Sequence, residues 1–252
     1  NGLTAIDQSL LREVYKDWKK ATVLPEALVT ELSEKTSHAV HAWKSAKDAE
    51  DFSIFAPHLE SLIQLSKEKA KYQGYESDPY DALLDDFEPG MTRAELTPLF
   101  QELREGLVPL FKEIQSKASA QDFVSLKGDY DETKQWDFGI SILKKMGYDF
   151  ERGRQDKSSH PFTSSYHPDD IRITTRIDKH DLMEAFSSTV HEGGHGLYEQ
   201  GLNPEFYGTP LSSYLSLGIH ESQSRLWENY VCKSEAFWRG HFPELQALFP
   251  EP

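Results

Sequence analysis

The chain has 252 residues, of which 38% are hydrophobic and 12% are aromatic, enough apolar material for a folded core, so the composition excludes a largely disordered protein. Its 42 acidic residues outnumber 27 lysines and arginines, giving a net charge of -15; because nucleic-acid binding depends on clustered Lys and Arg, we expect no nucleic-acid partner. No apolar run approaches the roughly 18 residues that a membrane-spanning helix needs, so we expect no membrane partner either.

The first residues and the single cysteine bear on how the chain was processed and in which compartment it is found. The start, Asn1-Gly2-Leu3-Thr4, has neither the basic nor the apolar part of a signal peptide and lacks an initiator Met. We therefore expect a trimmed chain or part of a longer gene product. Cys232 is the only cysteine, so no internal disulfide can form, which fits a reducing compartment; we expect the cytoplasm.

Apolar residues at helical spacing dominate the first 150 residues, and we expect one helical region over 1–252 without an internal boundary. Predicted helices pass through Trp18, follow Pro25, and run from near Pro57 to before Gly74. We interpret the apolar stripes of these and the following helices as core or helix-packing faces. The fold class we predict is mainly α.

A capping box, Thr92 with Glu95, predicts the start of a long helix whose apolar stripe extends to Ile114. Pro109 inside this stripe predicts a kink or a break. Another amphipathic helix is predicted through Trp136, ending at Gly147.

After Asp149 the pattern changes: residues 151–169 are rich in loop-forming residues, and residues 170–177 alternate between apolar and polar. This alternation predicts a half-buried strand, the only one that the sequence indicates convincingly. Its polar face, with Arg172 and Thr174, either borders a cleft or is simply solvated.

The chemistry lies in His191-Glu192-Gly193-Gly194-His195, within a predicted helix. Histidines four residues apart differ by about 40° around a helix and about 6 Å along it, so both can bind one metal ion. Glu192 can then reach the water on that ion as a general base. The two glycines each cost about 1 kcal/mol in a helix, so we expect them to serve close backbone packing or room for a substrate.

A catalytic zinc needs a third protein ligand and an open position for water. Glu221, at the start of another amphipathic helix, is the first candidate from the residues alone. Alternatives that spacing leaves open are Glu199, Glu205 and His220.

The sequence resembles the carboxypeptidase Taq family of zinc metallocarboxypeptidases, because four motifs of that family occur here in the same order. They are His160-Pro161-Phe162, then Asp170-Ile171-Arg172-Ile173-Thr174, then the H-E-x-x-H at 191–195, then His220-Glu221-Ser222-Gln223. The resemblance implies zinc bound by His191, His195 and Glu221. Cobalt or manganese can substitute at the same ligands, because metal selectivity depends on availability as well as on geometry. The resemblance also implies a helical fold, a small sheet beside the active site, peptide substrates with a free C-terminus, and a homodimer.

The resemblance further implies that His160 and the polar face of the strand, with Arg172 and Thr174, border the active site. His220 and Gln223, on either side of Glu221, are further candidates for contact with the substrate or its transition state. Members of the family are roughly twice this long, and their distal Q-D-x-H-W segment is missing here, so we expect an incomplete copy of a larger fold. The predicted activity is hydrolysis of the C-terminal peptide bond by metal-activated water, with Glu192 as base. A zinc endopeptidase and a non-catalytic metal-binding helical module are the alternatives.

Overall fold

The computed structural model describes residues 2–118 and 126–250. Internal packing divides the chain into two compact units, Asn1–Glu113 and Ile114–Pro252. Within the described residues, none of the helices combines the length and the apolar character that crossing a bilayer requires. The assignment of 1–252 to one region without a boundary stays a prediction.

The first unit is helical, and its helix ends follow the capping residues of the sequence. The predicted capping box is present, because the Thr92 backbone N–H donates to Glu95 Oε2 at 2.9 Å and the Glu95 N–H donates to Thr92 Oγ1 at 3.3 Å. Helix α3 lies between Phe55 and Gly74 as predicted, and it packs on α2. The helices of this unit, the last of which ends beyond it, are α1 (Ala5–Val23), α2 (Glu26–Asp48), α3 (Ala56–Gln73), α4 (Pro79–Leu84) and α5 (Arg93–Lys117).

Helix α5 departs from two expectations. It continues through both Pro98 and Pro109 without a break. Its apolar stripe is present, but Leu107 and Phe111 are 52% and 65% exposed, and no residue of α5 is buried. The prediction that this stripe is a core or helix-packing face is therefore wrong for the described residues, which leave it exposed.

The second unit packs helices against a small sheet, and its core holds the apolar faces of α6 and α7. Phe138, Ile142 and Leu143 of α6 lie with Phe186 and Val190 of α7 in one buried cluster. The elements are α6 (Glu132–Met146), β1 (Gly153–Lys157), β2 (Thr163–His167), β3 (Asp170–Thr175), α7 (Leu182–Gln200), α8 (Leu217–Arg225), a π-helical segment (Leu226–Val231) and α9 (Glu235–Leu248).

The sheet has the order β1-β3-β2, with β3 in the centre, parallel to β1 and antiparallel to β2. The predicted strand is confirmed as β3, where Ile171 and Ile173 are fully buried. The assignment of 151–169 to loop is wrong, because β1 and β2 lie within it. Both are short edge strands of mostly polar residues and bury little apolar surface, so hydrophobic alternation could not indicate them.

Cys232 is 2% exposed in the core of this unit, and burial raises the pKa of its thiol to about 12. Since only the thiolate is nucleophilic, we expect no reaction with Ellman's reagent at pH 8 in the native protein. One thiol per chain should react after unfolding in guanidinium chloride. Stoichiometric labelling of the native protein within minutes would show that the thiol is accessible.

Candidate metal centre

Helix α7 presents both histidines of the H-E-x-x-H motif on one side. Asp181 caps its start by accepting a hydrogen bond from the Met183 N–H at 3.1 Å. The apolar residues of α7 face α6 and β3, including Val190 at 0% exposure. His191 and His195 are half-buried, one turn apart, and their ring centroids lie 4.9 Å apart. Packing of the apolar face therefore fixes the direction in which the two rings point.

The two glycines of the motif allow neighbouring elements to come close. A Cβ on Gly193 would lie 2.4 Å from Leu143 Cδ2 of α6. A Cβ on Gly194 would lie 2.6 Å from Ser224 Cα and 2.8 Å from the Gln223 carbonyl oxygen, both in α8. Close backbone packing, one of the two reasons predicted for these glycines, is therefore observed, and it brings α8 against the histidine turn of α7.

Helix α8 carries Glu221 to the two histidines. Ser216 caps this helix through a 3.1 Å hydrogen bond from the Ile219 N–H. Glu221 Oε2 lies 3.5 Å from His191 Nε2 and 3.3 Å from His195 Nε2. One ligand atom from each of the three residues lies within 4.8 Å of the others, and the described residues contain no other such group of three His, Cys, Asp or Glu side chains. The structure thus brings together the three predicted ligands.

The three side chains fit a divalent metal ion by donor type and by spacing. Two imidazole nitrogens and a carboxylate oxygen are ligands typical of zinc. Donor atoms held tetrahedrally at the usual Zn–N distance lie about 3.3 Å apart, close to both distances from Glu221 Oε2. Burial, followed by the neighbouring His220 and His191, lowers the pKa of His195 to about 4. His195 is therefore the neutral imidazole that metal binding requires.

Glu221 is held in its charged form. Partial burial opposes ionisation, but hydrogen bonds from Arg225 Nε (2.7 Å) and Ser224 Oγ (3.1 Å), together with nearby His191, keep the pKa of Glu221 below its usual value. A carboxylate is the form that binds a metal ion.

Glu192 lies beside this group and is 6% exposed. Burial raises the pKa of its carboxyl group, and a 2.7 Å hydrogen bond from Thr163 Oγ1 to Oε2 partly opposes that rise. Glu192 and His191 line a cavity of about 330 Å³, together with His160 and Arg225. Thr163 was missed from the sequence; its only signal is its place directly after His160-Pro161-Phe162.

His160 is the one member of the five predicted substrate residues that lines this cavity. Thr174 instead supports the segment that carries His160. Its Oγ1 accepts a hydrogen bond from the Phe162 N–H at 2.9 Å and one from Ser158 Oγ at 2.8 Å. The contact of Thr174 with a substrate would therefore be indirect.

The other three predicted substrate residues are engaged elsewhere. Arg172 pairs with Asp170 and lies over the Tyr166 ring, and Gln223 bonds Ser222. His220 is 8% exposed and uses both ring nitrogens, towards His195 Nδ1 at 2.5 Å and Glu199 Oε1 at 2.7 Å. These contacts leave His220 no nitrogen for a substrate.

The alternatives for the third ligand, Glu199, Glu205 and His220, do not belong to the metal-binding group. Glu199 is buried against His220, and Glu205 is exposed in a short 3-10 turn, Pro204–Phe206. Glu228, which the sequence analysis did not single out, lies 2.9 Å from His191 Nδ1.

The model of the carboxypeptidase Taq (M32) metallopeptidase family matches residues 2–252. The chain belongs to this family. It is 40% identical over 241 residues to Carboxypeptidase 1 of Bacillus subtilis, covering 96% of this chain and 48% of that protein. It is 41% identical over 248 residues to Thermostable carboxypeptidase 1 of Thermus thermophilus, covering 95% and 49%.

Solved structures of the family agree with the fold. The crystal structure of an M32 carboxypeptidase from Deinococcus radiodurans matches with a TM-score of 0.90 at 38% identity, covering 99% of this chain and 50% of that one. The predicted family and the predicted fold class, mainly α with a small sheet, are therefore confirmed. The chain spans about half the length of the family relatives that it matches.

Proposed function

We propose that this chain is the metal-binding part of a zinc-dependent metallocarboxypeptidase that hydrolyses the C-terminal bond of peptides. The observation that carries the proposal is the meeting of His191 Nε2, His195 Nε2 and Glu221 Oε2 beside the buried Glu192. These three residues would hold the ion, with cobalt or manganese as substitutes for zinc. We further propose that residues 1–252 form one continuous part of a longer catalytic domain.

Glu192 is the general base in this proposal. When bound, the ion supplies the Lewis acidity that makes water a nucleophile near neutral pH. Thr163 orients Glu192 through Oε2. Glu192 takes a proton from the attacking water and passes it to the leaving amine nitrogen. His160, which lines the same cavity, is our candidate donor to the oxygen that develops negative charge.

Removal of a C-terminal residue, as opposed to internal cleavage, is supported by the names of the relatives. The H-E-x-x-H motif serves endopeptidases equally. The test compares hydrolysis of one peptide with a free and with an amidated C-terminus by the full-length protein. We expect cleavage of the free form only. Equal cleavage of both forms would favour a zinc endopeptidase.

Metal content tests the ligand set directly. In the full-length protein, His191→Ala and Glu221→Ala should each reduce bound zinc, measured by inductively coupled plasma mass spectrometry, from about one per chain to near zero, since each removes one of three ligands. Glu205→Ala should keep wild-type zinc, because Glu205 lies outside the group. Equal zinc in wild type and His191→Ala would contradict the ligand assignment. Bound zinc without hydrolysis of any peptide would favour the non-catalytic module.

We also propose binding partners and a cellular location for the protein. Peptides with a free C-terminus are the proposed substrates. The net charge of -15 argues against a nucleic-acid partner. A homodimer is proposed from the family resemblance, and the cytoplasm from the buried free thiol of Cys232.

A further inference from the structure

In both proposed histidine ligands the second ring nitrogen, Nδ1, contacts a side chain outside the group of three proposed ligands. His191 Nδ1 meets the carboxylate of Glu228. His195 Nδ1 meets His220, which in turn meets the carboxylate of Glu199. The hydrogen positions in these two arrangements follow from which atoms can donate and which can only accept.

The first arrangement fixes the proton of His191. Glu228 Oε2 lies 2.9 Å from His191 Nδ1 and 3.0 Å from Arg225 Nη1. Carboxylate oxygens accept hydrogen bonds, so this contact favours the His191 tautomer with its hydrogen on Nδ1. In that tautomer Nε2 is the nitrogen available to a metal ion, and this atom lies 3.5 Å from Glu221 Oε2.

The second arrangement fixes the proton of His195 through one more ring. The Glu199 carboxylate, 2.7 Å from His220 Nε2, accepts the hydrogen that this nitrogen carries. With that hydrogen directed to Glu199, His220 Nδ1 is placed to accept a hydrogen bond from His195 Nδ1, 2.5 Å away. His195 Nε2 is then the nitrogen available to a metal ion, and it lies 3.3 Å from Glu221 Oε2.

The backbone is adapted to place Glu228. This residue lies in the π-helical segment Leu226–Val231, where the Cys232 N–H donates to the Trp227 carbonyl five residues earlier at 2.8 Å. Such segments are rare and occur mostly at functional sites. The Glu228 side chain is 15% exposed and that of Glu199 is 6% exposed. Burying two carboxylates costs free energy unless each is well paired, and each here is paired with a histidine of the site.

We infer that Glu228 and Glu199 are positioning residues for the metal: Glu228 acts directly on His191, and Glu199 acts through His220 on His195. Each holds a ligand ring in the tautomer and orientation that direct the Nε2 lone pair to the ion. This inference deepens the proposed function and rests on its ligand set. Replacing such a carboxylate typically weakens metal binding 10- to 100-fold.

The test measures zinc dissociation constants of the full-length protein by competition with a chelating dye. Glu228→Gln and Glu199→Gln are expected to weaken zinc binding about 10- to 100-fold each. The Co²⁺-loaded variants should also show a visible absorption spectrum changed from wild type. The matched control is Glu235→Gln, since Glu235 is exposed and its ion pair in the described part of the chain is with Arg239, and wild-type affinity is expected there.

The melting temperature of each metal-free variant separates positioning from folding. We expect values close to wild type for both glutamine variants, because glutamine matches glutamate in size. The inference would be overturned if zinc affinity fell only because the variants no longer fold. It would also be overturned if both variants bound zinc within twofold of wild type and showed an unchanged Co²⁺ spectrum. His191→Ala separates a failure of this inference from a failure of the proposed ligand set. If His191→Ala keeps full zinc affinity, the proposed metal site itself is wrong.

Discussion

Glu192→Gln in the full-length protein should lower kcat by at least about a thousandfold while the zinc content stays at the wild-type level. Glutamine has the same shape but cannot take a proton from water, and Glu192 is not among the three proposed metal ligands. Steady-state kinetics on a peptide with a free C-terminus measure the rate, and mass spectrometry measures the metal.

The matched control for this prediction is Glu205→Gln, an exposed glutamate of the same unit, for which wild-type kcat is expected. A Glu192→Gln enzyme with kcat within tenfold of wild type would remove Glu192 as the base. Loss of zinc together with loss of rate would instead mean that Glu192 supports the ligands.

Gly194→Ala should destabilise the protein and weaken zinc binding together. The new Cβ would lie 2.6 Å from Ser224 Cα and 2.8 Å from the Gln223 carbonyl oxygen, and backbone atoms cannot move aside by changing rotamer. Overpacking of this kind costs about 1–3 kcal/mol of unfolding free energy. Alanine in place of glycine stabilises a helix by about 1 kcal/mol, so we expect a net loss of stability. Because α8 carries Glu221, separation of the two helices should also weaken zinc binding at least about tenfold.

Urea unfolding and dye competition measure the two effects of Gly194→Ala. The control is Gly240→Ala in α9, where a Cβ would meet no atom within 4 Å. That change should leave stability unchanged or raise it by up to about 1 kcal/mol. A Gly194→Ala protein with wild-type stability and zinc affinity would show that the contact between α7 and α8 relaxes without cost.

The pairing of His191 and His195 in the proposed metal site was predictable because its geometry is local. Histidines at i and i+4 share a helix face in any α-helix, and the capping residue Asp181 and the buried Val190 fix which way that face points. Glu221 was the first candidate for the third ligand from the residues alone, but spacing left Glu199, Glu205 and His220 open. The family resemblance favoured Glu221, and the approach at Gly194 is the physical reason that it reaches the histidines.

Thr163 and Glu228 were not predictable because their roles depend on irregular or weakly patterned backbone. Thr163 begins β2, an edge strand whose polar sequence resembles a loop. Glu228 lies in a π-helical segment, and the regular 3.6-residue period assigns no special face to such a residue. Sequence patterns indicate regular elements well, but a side chain placed by an irregularity needs the coordinates.

The exposed stripe of α5 shows another limit. Its period predicted a helix correctly, yet Leu107 and Phe111 are half or more exposed in this chain. Periodicity tells which face is apolar, and it does not tell which partner covers that face.

All the side chains of the proposed site, from His160 to Glu228, come from one stretch of 69 residues (228 − 160 + 1). A ribosome adds about 5–20 residues per second, so this stretch is made in about 3 to 14 seconds. Contacts between residues so near in sequence need only modest loop closure. A nascent chain can therefore complete its ligand set soon after Glu228 emerges, while later segments are still being synthesised.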